Sequence, residues 1–564
     1  MIWKEKLALS LSKVIEKDME FSKIEQLIEK PKNDDFGDLA FPCFTLAKKE
    51  KKSPHLIAKE ISGKLNSSDY EKIEAVGGYI NIFLKKKTVA KKIIHEIIKK
   101  KDKYGSQNKG KGARITIDMS SPNIAKPFSM GHLRSTVIGH SLSLIIEKFG
   151  FKPVKINYIG DWGTQFGKLI TAYKLWGNEE KVKRQPIQEL LTLYVQFHEK
   201  AETHPKLVEE GRQWFKKLEE GDKEALSLWK WFRDESLKEF FRIYKLLNVS
   251  FDSYAGEAFY NDKMDQVVEK LEETGLLVES DHAKVVPLPG EDLPPCLIKK
   301  SDGATLYATR DLAAAIYRKH QYDFKKSLYV VGNEQTLHFK QLKSVLKKMG
   351  YAWSDQMDHV PFGMILKDGK KMSTRKGKVI LLEEVLTESI KLALRNIEEK
   401  NPNLLEKKET AKKVGVGAVI FHDLKNFRMN DIEFSLPDML RFEGETGPYV
   451  QYTYARASSI LKKGKIPLSE EAELSSLDWK CEWKLVKKLA EFPAAVQKSL
   501  ELYDPSQIAK YAIDLAQAFN AYYGEVKILA ETEGKQARLA VVYSVTIVLQ
   551  ESLRLLGIEA PEEM

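Results

Sequence analysis

The feature that most constrains the fold is a strand–helix–strand pattern between residues 114 and 161. A β-branched run, 114-RITIDM-119, is followed by a loop, by a helical pattern from about His132 to Phe149, and by a second apolar run, 154-VKINYIGD-161. One face of the helical pattern is apolar, at Leu133, Val137, Leu142, Ile145 and Phe149. Because the whole pattern fits within about 45 residues, it predicts a βαβ unit and therefore a parallel sheet.

Two polar loops, 120–132 and 160-GDWGTQFG-167, lie at the predicted carboxyl ends of these strands. Ligands of open α/β sheets bind beyond those ends, often at a helix N-terminus. The first loop offers many hydrogen-bonding side chains: Ser120, Ser121, Asn123, Lys126, Ser129 and His132. Together with the helix N-terminus, they suit an anion whose charge grows during a reaction. The alternative is an ordinary helix cap, with Ser129 capping and His132 on the surface.

A second loop suited to phosphate, 370-KKMSTRKGK-378, follows the predicted strand 359-HVPFGMIL-366. Its lysines and Arg375 could close over a triphosphate and meet the charge that develops on a leaving pyrophosphate. Alone, such a charge run is typical of a solvated surface. Two loops of this kind on one sheet, about 240 residues apart, favour a nucleotide site.

The rest of the chain indicates three units. Residues 1 to about 100 show helical patterns at 1–30 and 53–65, the strand 77-GGYINIFL-84 and the Lys-rich helix 85–101, before a glycine-containing linker. A helical, aromatic insertion over about 170–275 interrupts the α/β pattern, which resumes at 305-TLYATRDLAAAIY-317 with a strand at 327–332 and a helix at 335–349. Beyond about 380 the pattern predicts helices and no strands.

Composition narrows the environment and the partners. Lys and Arg number 91 against 80 Asp and Glu, a formal net charge of +11, which favours a polyanionic partner such as nucleic acid or else reflects a Lys-rich surface. Three separated cysteines, Cys43, Cys296 and Cys481, argue against disulfides and structural zinc and fit a reducing cytosol. The charged N-terminus is no signal peptide, and the apolar run 539–549 is too short to span a membrane. We therefore expect a cytoplasmic protein with no membrane association.

Five motifs in order resemble one family. The Gly-His pair at the first helix and the Lys-Met-Ser loop resemble the HIGH and KMSKS signatures of class I aminoacyl-tRNA synthetases. The motifs that narrow the resemblance to arginyl-tRNA synthetases are SSPNIAKPF (120–128), GHLRST (131–136), GDWGTQFG (160–167), LYATRD (306–311) and MSTRKG (372–377). The N-terminal unit, 447-GPYVQYTYAR-456 and the tail LLGIEAPEEM also resemble that family, so the likeness covers essentially the whole chain.

The resemblance implies a multidomain protein with a Rossmann-like α/β parallel-sheet catalytic domain. The expected domains are a small α+β tRNA-elbow (D-loop) binding domain at 1–105, the catalytic domain at 106–380 with a helical insertion at about 170–290, and an all-α anticodon-binding domain at 381–564. The implied activity is that of an arginine–tRNA ligase, an ATP-dependent ligase. It makes arginyl-adenylate from L-arginine and ATP, releases pyrophosphate, and transfers arginine to the terminal adenosine 2′-OH of the cognate arginine tRNA, releasing AMP. The family's first step is expected to need bound tRNA.

The resemblance also implies residue roles at the arginine end of the site. Tyr307 and Asp311 match the residues that read the guanidinium, which carboxylates bind in a bidentate manner. The positions that match the substrate's ammonium and carboxylate end are Asp118, Ser121, Asn123 and Gln335. From the residues alone, Asp311 could instead cap a helix over 311–318.

ATP is expected between the two signatures. The implied ATP-binding residues are Pro122, Asn123, Ser129, Gly131, His132, Lys371, Met372 and Ser373. Those expected to stabilise the transition state are His132, Lys126, Lys371 and Arg375. Mg²⁺ is expected with the nucleotide, and neither zinc nor an organic cofactor is expected. No protein nucleophile is needed, so catalysis is expected to consist of positioning and electrostatics.

Two surfaces are expected to bind tRNA. Tyr79 and Asn81 match residues that contact a D-loop nucleotide, since an exposed aromatic ring beside an amide can stack on and hydrogen-bond a splayed base. The alternative is a buried strand tyrosine. The positions that match the anticodon-loop surface are Tyr449, Tyr452, Arg456, Tyr523 and Met564. Tyr449, Tyr452 and Arg456 recur at spacings that share one helix face, a pattern also typical of a core stripe.

One position departs from the family pattern. The HIGH-type signature commonly begins with His, whereas this chain has Ser129. A hydroxyl can donate one hydrogen bond to a phosphate but cannot carry positive charge, and we expect the change to be tolerated. Three alternatives stay open at this point: a non-catalytic tRNA-binding paralogue, a nucleotidyltransferase that adenylates a small acid without RNA, and a synthetase for another amino acid. The family is often monomeric, so we expect a monomer.

Overall fold

The structure is a computed structural model that describes residues 2–15, 19–31, 33–124, 126, 128–290, 292–300, 307–371, 381–465, 474, 476–477 and 479–564. Its N-terminal unit packs helices against an antiparallel sheet of order β1-β3-β2. The elements are α1 (Ile2–Ile15), α2 (Phe21–Leu27), β1 (Leu39–Pro42), α3 (Phe44–Glu50), α4 (Pro54–Lys64), β2 (Tyr70–Val76), β3 (Tyr79–Leu84) and α5 (Lys86–Lys100). In β3, Ile80, Ile82 and Leu84 alternate into the core, as the period of a half-buried strand predicts.

The predicted βαβ unit is present. It consists of β4 (Arg114–Asp118), α6 (Met130–Lys148) and β5 (Lys152–Ile156), and β4 and β5 pair in parallel. Helix α6 is buried on nearly all sides, because the sheet covers one side and C-terminal helices cover another. Its N-terminus therefore holds a defined position at the carboxyl edge of the sheet.

An insertion follows β5. Its helices are α7 (Thr164–Trp176), α8 (Glu179–Arg184), α9 (Pro186–Thr203), α10 (Lys206–Glu219), α11 (Lys223–Leu246) and α12 (Met264–Glu273). The sequence patterns missed a small antiparallel sheet, of order β6-β7-β8, that comes next: β6 (Val278–Ser280), β7 (Ala283–Val286) and β8 (Cys296–Lys299). These strands have three or four residues each, and β6 is exposed, so they carry little alternating apolar signal.

The central sheet is completed by later elements. These are α13 (Tyr307–Tyr322), β9 (Lys326–Tyr329), α14 (Thr336–Lys348) and β10 (Met357–His359), and the sheet order β10-β9-β4-β5 is parallel throughout. The predicted strand 359–366 is wrong as a single strand. β10 ends at His359, and β11 (Ile365–Lys367) starts in a different sheet.

The C-terminal part is helical, as predicted, with one exception. After β12 (Lys370–Lys371) come α15 (Leu382–Lys400), α16 (Lys407–Leu424), β13 (Ile432–Glu433), α17 (Leu436–Met439), α18 (Gly447–Gly464), α19 (Trp483–Leu502), α20 (Ser506–Glu525) and α21 (Lys535–Leu555). The expectation of no strand beyond 380 is wrong, because β13 pairs in parallel with β11. The predicted fold class, a parallel α/β unit between a small α+β unit and a helical unit, is confirmed.

Candidate active site and nucleic-acid surfaces

The Gly-His pair opens α6, and Ser129 is its N-cap. The Ser129 backbone N–H donates to His132 Nδ1 over 3.1 Å, and the Ser129 hydroxyl lies 3.2 Å from the same nitrogen. Because Nδ1 accepts the backbone hydrogen bond, we assign the proton of the neutral ring to Nε2. The helix cap at Ser129, which the sequence offered as the alternative to an anion site, is therefore present, and it orients His132. Gly131 is exposed beside it.

His132 is neutral at physiological pH. Burial lowers its pKa to about 4, and the nearby Lys126 ammonium acts in the same direction. The ring packs edge-on against Phe128, with centroids 5.2 Å apart. Within the described ranges, Nε2–H has no hydrogen-bond acceptor, so it is free to donate to an anion. Lys126, 5.7 Å above the Tyr194 ring, supplies the positive charge nearby, and burial lowers its pKa as well.

The loop after β4 is held in a strained conformation by α6. Ser120 and Ser121 have φ values of 75° and 50°, a region that non-glycine residues seldom adopt. Ser135 Oγ accepts from the Ser120 N–H at 2.8 Å, and Thr136 Oγ1 donates to Ser120 Oγ at 2.9 Å. The sequence analysis quoted Ser135 and Thr136 within GHLRST but gave them no role. They connect the two halves of the first signature.

Asn123 and Pro122 meet the second loop. The Gly160 N–H donates to the Pro122 carbonyl over 3.1 Å, and the Ile124 N–H donates to the Gly160 carbonyl over 3.2 Å. A Cβ at position 160 would lie 2.1 Å from Asn123 Oδ1, so only glycine fits this approach. The SSPN and GDWG motifs therefore pack directly against each other and form one side of the candidate site.

Asp118 has a partner inside the protein. Arg318 Nη1 lies 2.7 Å from Asp118 Oδ2, with both side chains buried, and Ser121 Oγ donates to Asp118 Oδ1 over 3.0 Å. Burial lowers the pKa of Arg318, but the Asp118 carboxylate and the nearby tyrosines Tyr260, Tyr329 and Tyr158 together raise it well above its usual value, so the guanidinium stays charged. Asp118 is thus a buried ion-pair partner that orients Ser121.

Asp311 and Tyr307 occupy the first turns of α13. The Asp311 carboxylate accepts from His338 Nε2 over 2.6 Å, and its side chain is 22% exposed. Tyr307 is 61% exposed, and Gln335, just before α14, is also exposed. The sequence analysis missed His338, although it lies one helical turn after Gln335. Asp311 does not end up as a simple cap, because α13 starts four residues earlier.

A buried carboxylate, Glu257, adds to the acidity of this region. Its side chain is 8% exposed. Burial raises its pKa to about 7, and the Asp311 and Asp161 carboxylates push it in the same direction while Arg310 opposes them. Glu257 follows Gly256 in a stretch with no motif, so no local pattern predicted it. Two carboxylates that destabilise each other make a site that favours a cation.

Of the basic loop, the described residues include Lys370 and Lys371. Lys370 and Lys371 form β12, which pairs with β11 in an antiparallel hairpin. The predicted residues Met372, Ser373 and Arg375 lie outside the described residues, and for Lys371 the structure describes the backbone. Glu433 Oε1 accepts from the Asp368 N–H at the turn of this hairpin.

The predicted D-loop residues Tyr79 and Asn81 lie on the face of β3 opposite Ile80 and Ile82. Tyr79 is half-buried, and its ring packs edge-on against the exposed Phe44 at 5.3 Å. Asn81 is only 3% exposed, so the expected exposed amide is covered in this structure. β3 is the central strand of its sheet, so Asn81 has a neighbouring strand on each side, and these neighbours account for its low exposure.

The predicted anticodon residues of α18 and α20 come together. The Arg456 guanidinium lies 4.9 Å from the Tyr452 ring and 5.3 Å from the Tyr523 ring. Arg456 Nη1 donates to Asn520 Oδ1 over 2.6 Å, and Asn520 Nδ2 donates to the Tyr449 hydroxyl over 3.0 Å. Tyr452 and Tyr523 are 39% and 46% exposed, so this is a surface cluster and no core stripe. Asn520, three residues before Tyr523 on α20, was not predicted, because no motif of the sequence includes it.

Met564 lies apart from that cluster in sequence and is joined to it through other residues. Its backbone carbonyl accepts from Asn401 Nδ2 over 3.1 Å. The adjacent Lys400 lies over the Phe442 ring, which packs edge-on against Tyr452 at 6.2 Å. A continuous aromatic and basic surface therefore links the two.

Comparison with known proteins covers the full chain. Residues 93–436 match the family of tRNA synthetases class I (R), catalytic domain; residues 450–564 match the DALR anticodon binding domain; and residues 1–84 match the arginyl tRNA synthetase N terminal domain. The chain belongs to the arginyl-tRNA synthetase family. The resemblance drawn from the five motifs is thereby confirmed.

Individual relatives agree. An arginine–tRNA ligase of Enterococcus faecalis is 59% identical over 561 residues, and arginine–tRNA ligase 2 of Bacillus anthracis is 60% identical over 564 residues, each covering 100% of both chains. The Thermus thermophilus arginyl-tRNA synthetase structure superposes with a TM-score of 0.83 at 25% identity and 100% coverage of both chains. As in other class I synthetases, the catalytic unit is an aminoacyl-tRNA synthetase domain, which makes this chain an enzyme that uses ATP.

Proposed function

We propose that this chain joins L-arginine to its cognate arginine tRNA through an arginyl-adenylate. The observation that supports this best is the placement of two complementary regions at the carboxyl edge of one parallel sheet. One is a helix N-terminus with a neutral histidine donor, and the other is an acidic region with carboxylates at Asp311 and Glu257. An anionic nucleotide and a cationic amino acid therefore both find suitable partners.

At the arginine end, Asp311 and Glu257 supply the negative charge, and Tyr307 lies exposed beside them. His338 fixes one oxygen of Asp311, which leaves the other free for a guanidinium N–H. Asn123, Ser121 and Gln335 are proposed to hold the ammonium and carboxylate end, with Asp118 acting through Ser121. An apolar substrate would fit this site poorly, since it would leave the buried Glu257 carboxylate without a counterion.

At the ATP end, His132 Nε2–H and the α6 N-terminus face the phosphates. Attack of the arginine carboxylate on the α-phosphorus makes a P–O bond and breaks the bond to pyrophosphate, so negative charge grows on the phosphate oxygens. A neutral, preorganised donor stabilises that charge without being protonated first. Lys126, Lys371 and Arg375 are proposed to add positive charge, with Met372 and Ser373 in the same loop and Gly131, Pro122 and Ser129 beside the nucleotide.

Mg²⁺ is proposed to arrive with ATP. Within the described ranges, no three His, Cys, Asp or Glu side chains converge on a metal position. The phosphates of the nucleotide are then its main ligands. Apart from ATP and arginine, the steps proposed for adenylate formation involve only residues of this chain.

For tRNA, we propose that the N-terminal unit binds the elbow through Tyr79 and that the C-terminal surface binds the anticodon loop. The boundaries 1–105, 106–380 and 381–564 stay a proposal. Asn81 would have to become exposed on binding. Tyr452 and Tyr523 are exposed beside Arg456, and they support the proposal that the anticodon loop binds at Tyr449, Tyr452, Arg456, Tyr523 and Met564. We further propose that arginine activation needs bound tRNA, that the protein is a monomer and that it acts in the cytoplasm. Among the described helices, none is long and apolar enough to cross a membrane.

The decisive experiment measures arginine-dependent ATP–pyrophosphate exchange with purified protein, with and without arginine tRNA, followed by tRNA charging. We expect exchange only with tRNA. His132→Ala removes one preorganised donor, on the order of 3 kcal/mol or about a hundredfold in kcat. His204→Ala, at an exposed position of the insertion, is the matched control and should keep wild-type rates. Absence of exchange in the wild type would refute the enzyme, and full activity of His132→Ala would refute its role.

The same assay separates the remaining alternatives. A nucleotidyltransferase without RNA would show exchange that tRNA does not influence, and a regulator would bind tRNA without any exchange. A synthetase for a different amino acid would charge tRNA with that amino acid and ignore arginine.

A further inference from the structure

A buried ion pair joins the first signature helix to the C-terminal helices. Arg134 lies two residues after His132 in α6, and its Nε is 3.2 Å from Asp423 Oδ2 in α16. The two side chains are 1% and 4% exposed. Arg134 Nη1 donates to the Asn430 carbonyl over 2.8 Å, and its guanidinium lies 5.8 Å from the Phe362 ring.

The segment that contains Asn430, residues 428–434, is also hydrogen-bonded to the strand that leads into the basic loop. The Gly363 N–H donates to the Arg428 carbonyl over 2.9 Å, and a Cβ at Gly363 would lie 2.6 Å from the Asn430 carbonyl oxygen. Further on, the Ile432 N–H donates to the Met364 carbonyl, directly before β11, and the Phe434 N–H donates to the Leu366 carbonyl of β11, each over 2.9 Å. Residues 428–434 and 363–369 therefore form one paired unit that ends directly before Lys370.

Arg134 thus connects the first signature, in which it lies, to the paired segments that lead into the second. Through its own helix it is attached to His132, and through the Asn430 carbonyl it is attached to β11 and the hairpin of Lys370 and Lys371. Through Asp423 it is attached to α16, which belongs to the C-terminal helices.

The pair is poorly built for stability. Within the described residues, Arg134 Nε and Nη2 and both Asp423 oxygens have no hydrogen bond of normal geometry. Buried ion pairs with unsatisfied groups usually stabilise a fold no better than apolar residues of similar size. Where such a pair is retained, it can serve to specify one arrangement of the elements it joins.

We propose that Arg134 and Asp423 are a positioning pair that sets the His132 end of α6 against the strand β11 that carries the basic loop. The inference rests on the proposed function, because those two segments are the halves of the proposed ATP site. Arg134 reaches the carboxylate with Nε and the Asn430 carbonyl with Nη1. A lysine has a single ammonium that cannot occupy both positions, so Arg134→Lys keeps the charge and loses the arrangement.

The test compares three variants in tRNA-dependent ATP–pyrophosphate exchange, with thermal unfolding measured in parallel. Arg134→Lys should lower kcat about ten- to a hundredfold, because displacement of reacting groups by about 1 Å has costs of this size. The double variant Arg134→Met/Asp423→Leu should unfold at or above the wild-type temperature yet keep a lowered kcat. The KM for arginine should change less than about twofold, since the pair does not touch Asp311 or Glu257.

The control is Lys174→Met/Glu224→Leu, which removes an exposed ion pair of 2.6 Å between α7 and α11 and should leave kcat unchanged. A purely structural role predicts that kcat recovers with stability, so a stable double variant with wild-type kcat overturns the proposal. If the double variant does not fold, the test rests on Arg134→Lys alone. A wild-type kcat in Arg134→Lys then overturns the proposal.

Failure of the proposed function gives a different result. In that case the wild type itself shows no exchange, and amide deuterium exchange of residues 363–367 becomes the measurement. Faster exchange of this strand in Arg134→Lys supports the positioning role, and unchanged exchange overturns it.

Discussion

We expect Glu257, placed by our proposal at the arginine site, to make arginine binding dependent on pH. Its pKa is about 7 in the free protein because of burial and the Asp311 and Asp161 carboxylates. A bound guanidinium favours the ionised form, so below pH 7 binding must release a proton, and above pH 7 it need not. We expect arginine affinity to rise as the pH increases from about 5 to 7 and then to level off, by calorimetric titration in two buffers of different ionisation enthalpy.

Glu257→Gln should remove both the proton release and the rise with pH. It should also weaken arginine binding by roughly 2–3 kcal/mol, about 30- to 150-fold, the cost of losing a charge-assisted hydrogen bond. Glu273→Gln makes the same chemical change at an exposed position of α12 and should leave the titration unchanged. A pH-independent affinity in the wild type would contradict the assignment of Glu257 to the arginine site.

At the residue scale, sequence alone located the chemistry but not its fine arrangement. The motifs identified His132, Asn123 and Asp311 because their residue types and order match a family. The proton position of His132 depends on a hydrogen bond from Ser129, and the raised pKa of Glu257 depends on its burial and on Asp311, 54 residues away. Such effects arise from folding, so no local pattern carries them.

Helix α6 is anchored at both ends, and its far end yields a second prediction. Lys148 Nζ lies 2.6 Å from Glu551 Oε1 of α21, with side chains 1% and 3% exposed, and also donates to the Asp102 carbonyl over 2.7 Å. Glu551→Gln leaves a buried ammonium without its counterion. We expect a loss of about 3–5 kcal/mol, seen as a lower urea midpoint of the transition that includes α21.

The matched comparison is Glu531→Gln, which breaks the exposed i,i+4 pair with Lys535 on the surface and should cost less than about 1 kcal/mol. Replacing both buried partners, Lys148→Met/Glu551→Leu, should recover most of the loss, although Arg554 then also loses its partner. Equal effects of the buried and exposed single variants would contradict the anchoring role.

At the element scale, long periodic segments were predictable and short ones were not. Helices α6, α11 and α21 carry enough turns for an apolar stripe to stand out. The strand predicted over 359–366 is instead the end of β10 and the start of β11, because an apolar run does not show where a chain changes sheets. The two-residue strand β13 is too short for any periodicity and exists only through its pairing with β11.

At the scale of the whole molecule, the chain joins distant segments through a few buried contacts. In the sequence, Arg134 and Asp423 are 289 positions apart, and Lys148 and Glu551 are 403 positions apart. Both pairs attach α6 to the C-terminal helices. Composition and motifs predicted the units but gave no information on these contacts. The net charge of +11 is consistent with the proposed tRNA surfaces at both ends of the chain.

The C-terminal surface should control tRNA affinity without changing the chemistry. Tyr452 is exposed, with the Arg456 guanidinium 4.9 Å from its ring, and we propose that the ring stacks on a splayed anticodon base. Stacking of a base on an aromatic side chain is worth about 1–3 kcal/mol, so Tyr452→Ala should raise the KM for tRNA about 5- to 150-fold in aminoacylation. The kcat at saturating tRNA should stay near the wild-type value, because the ring lies on α18 and His132 lies on α6.

Leu502→Ala removes an exposed apolar side chain at the end of α19 and should leave both constants unchanged. A fall in kcat with no change in KM would show instead that this surface acts on the catalytic step and that its role is not simple docking.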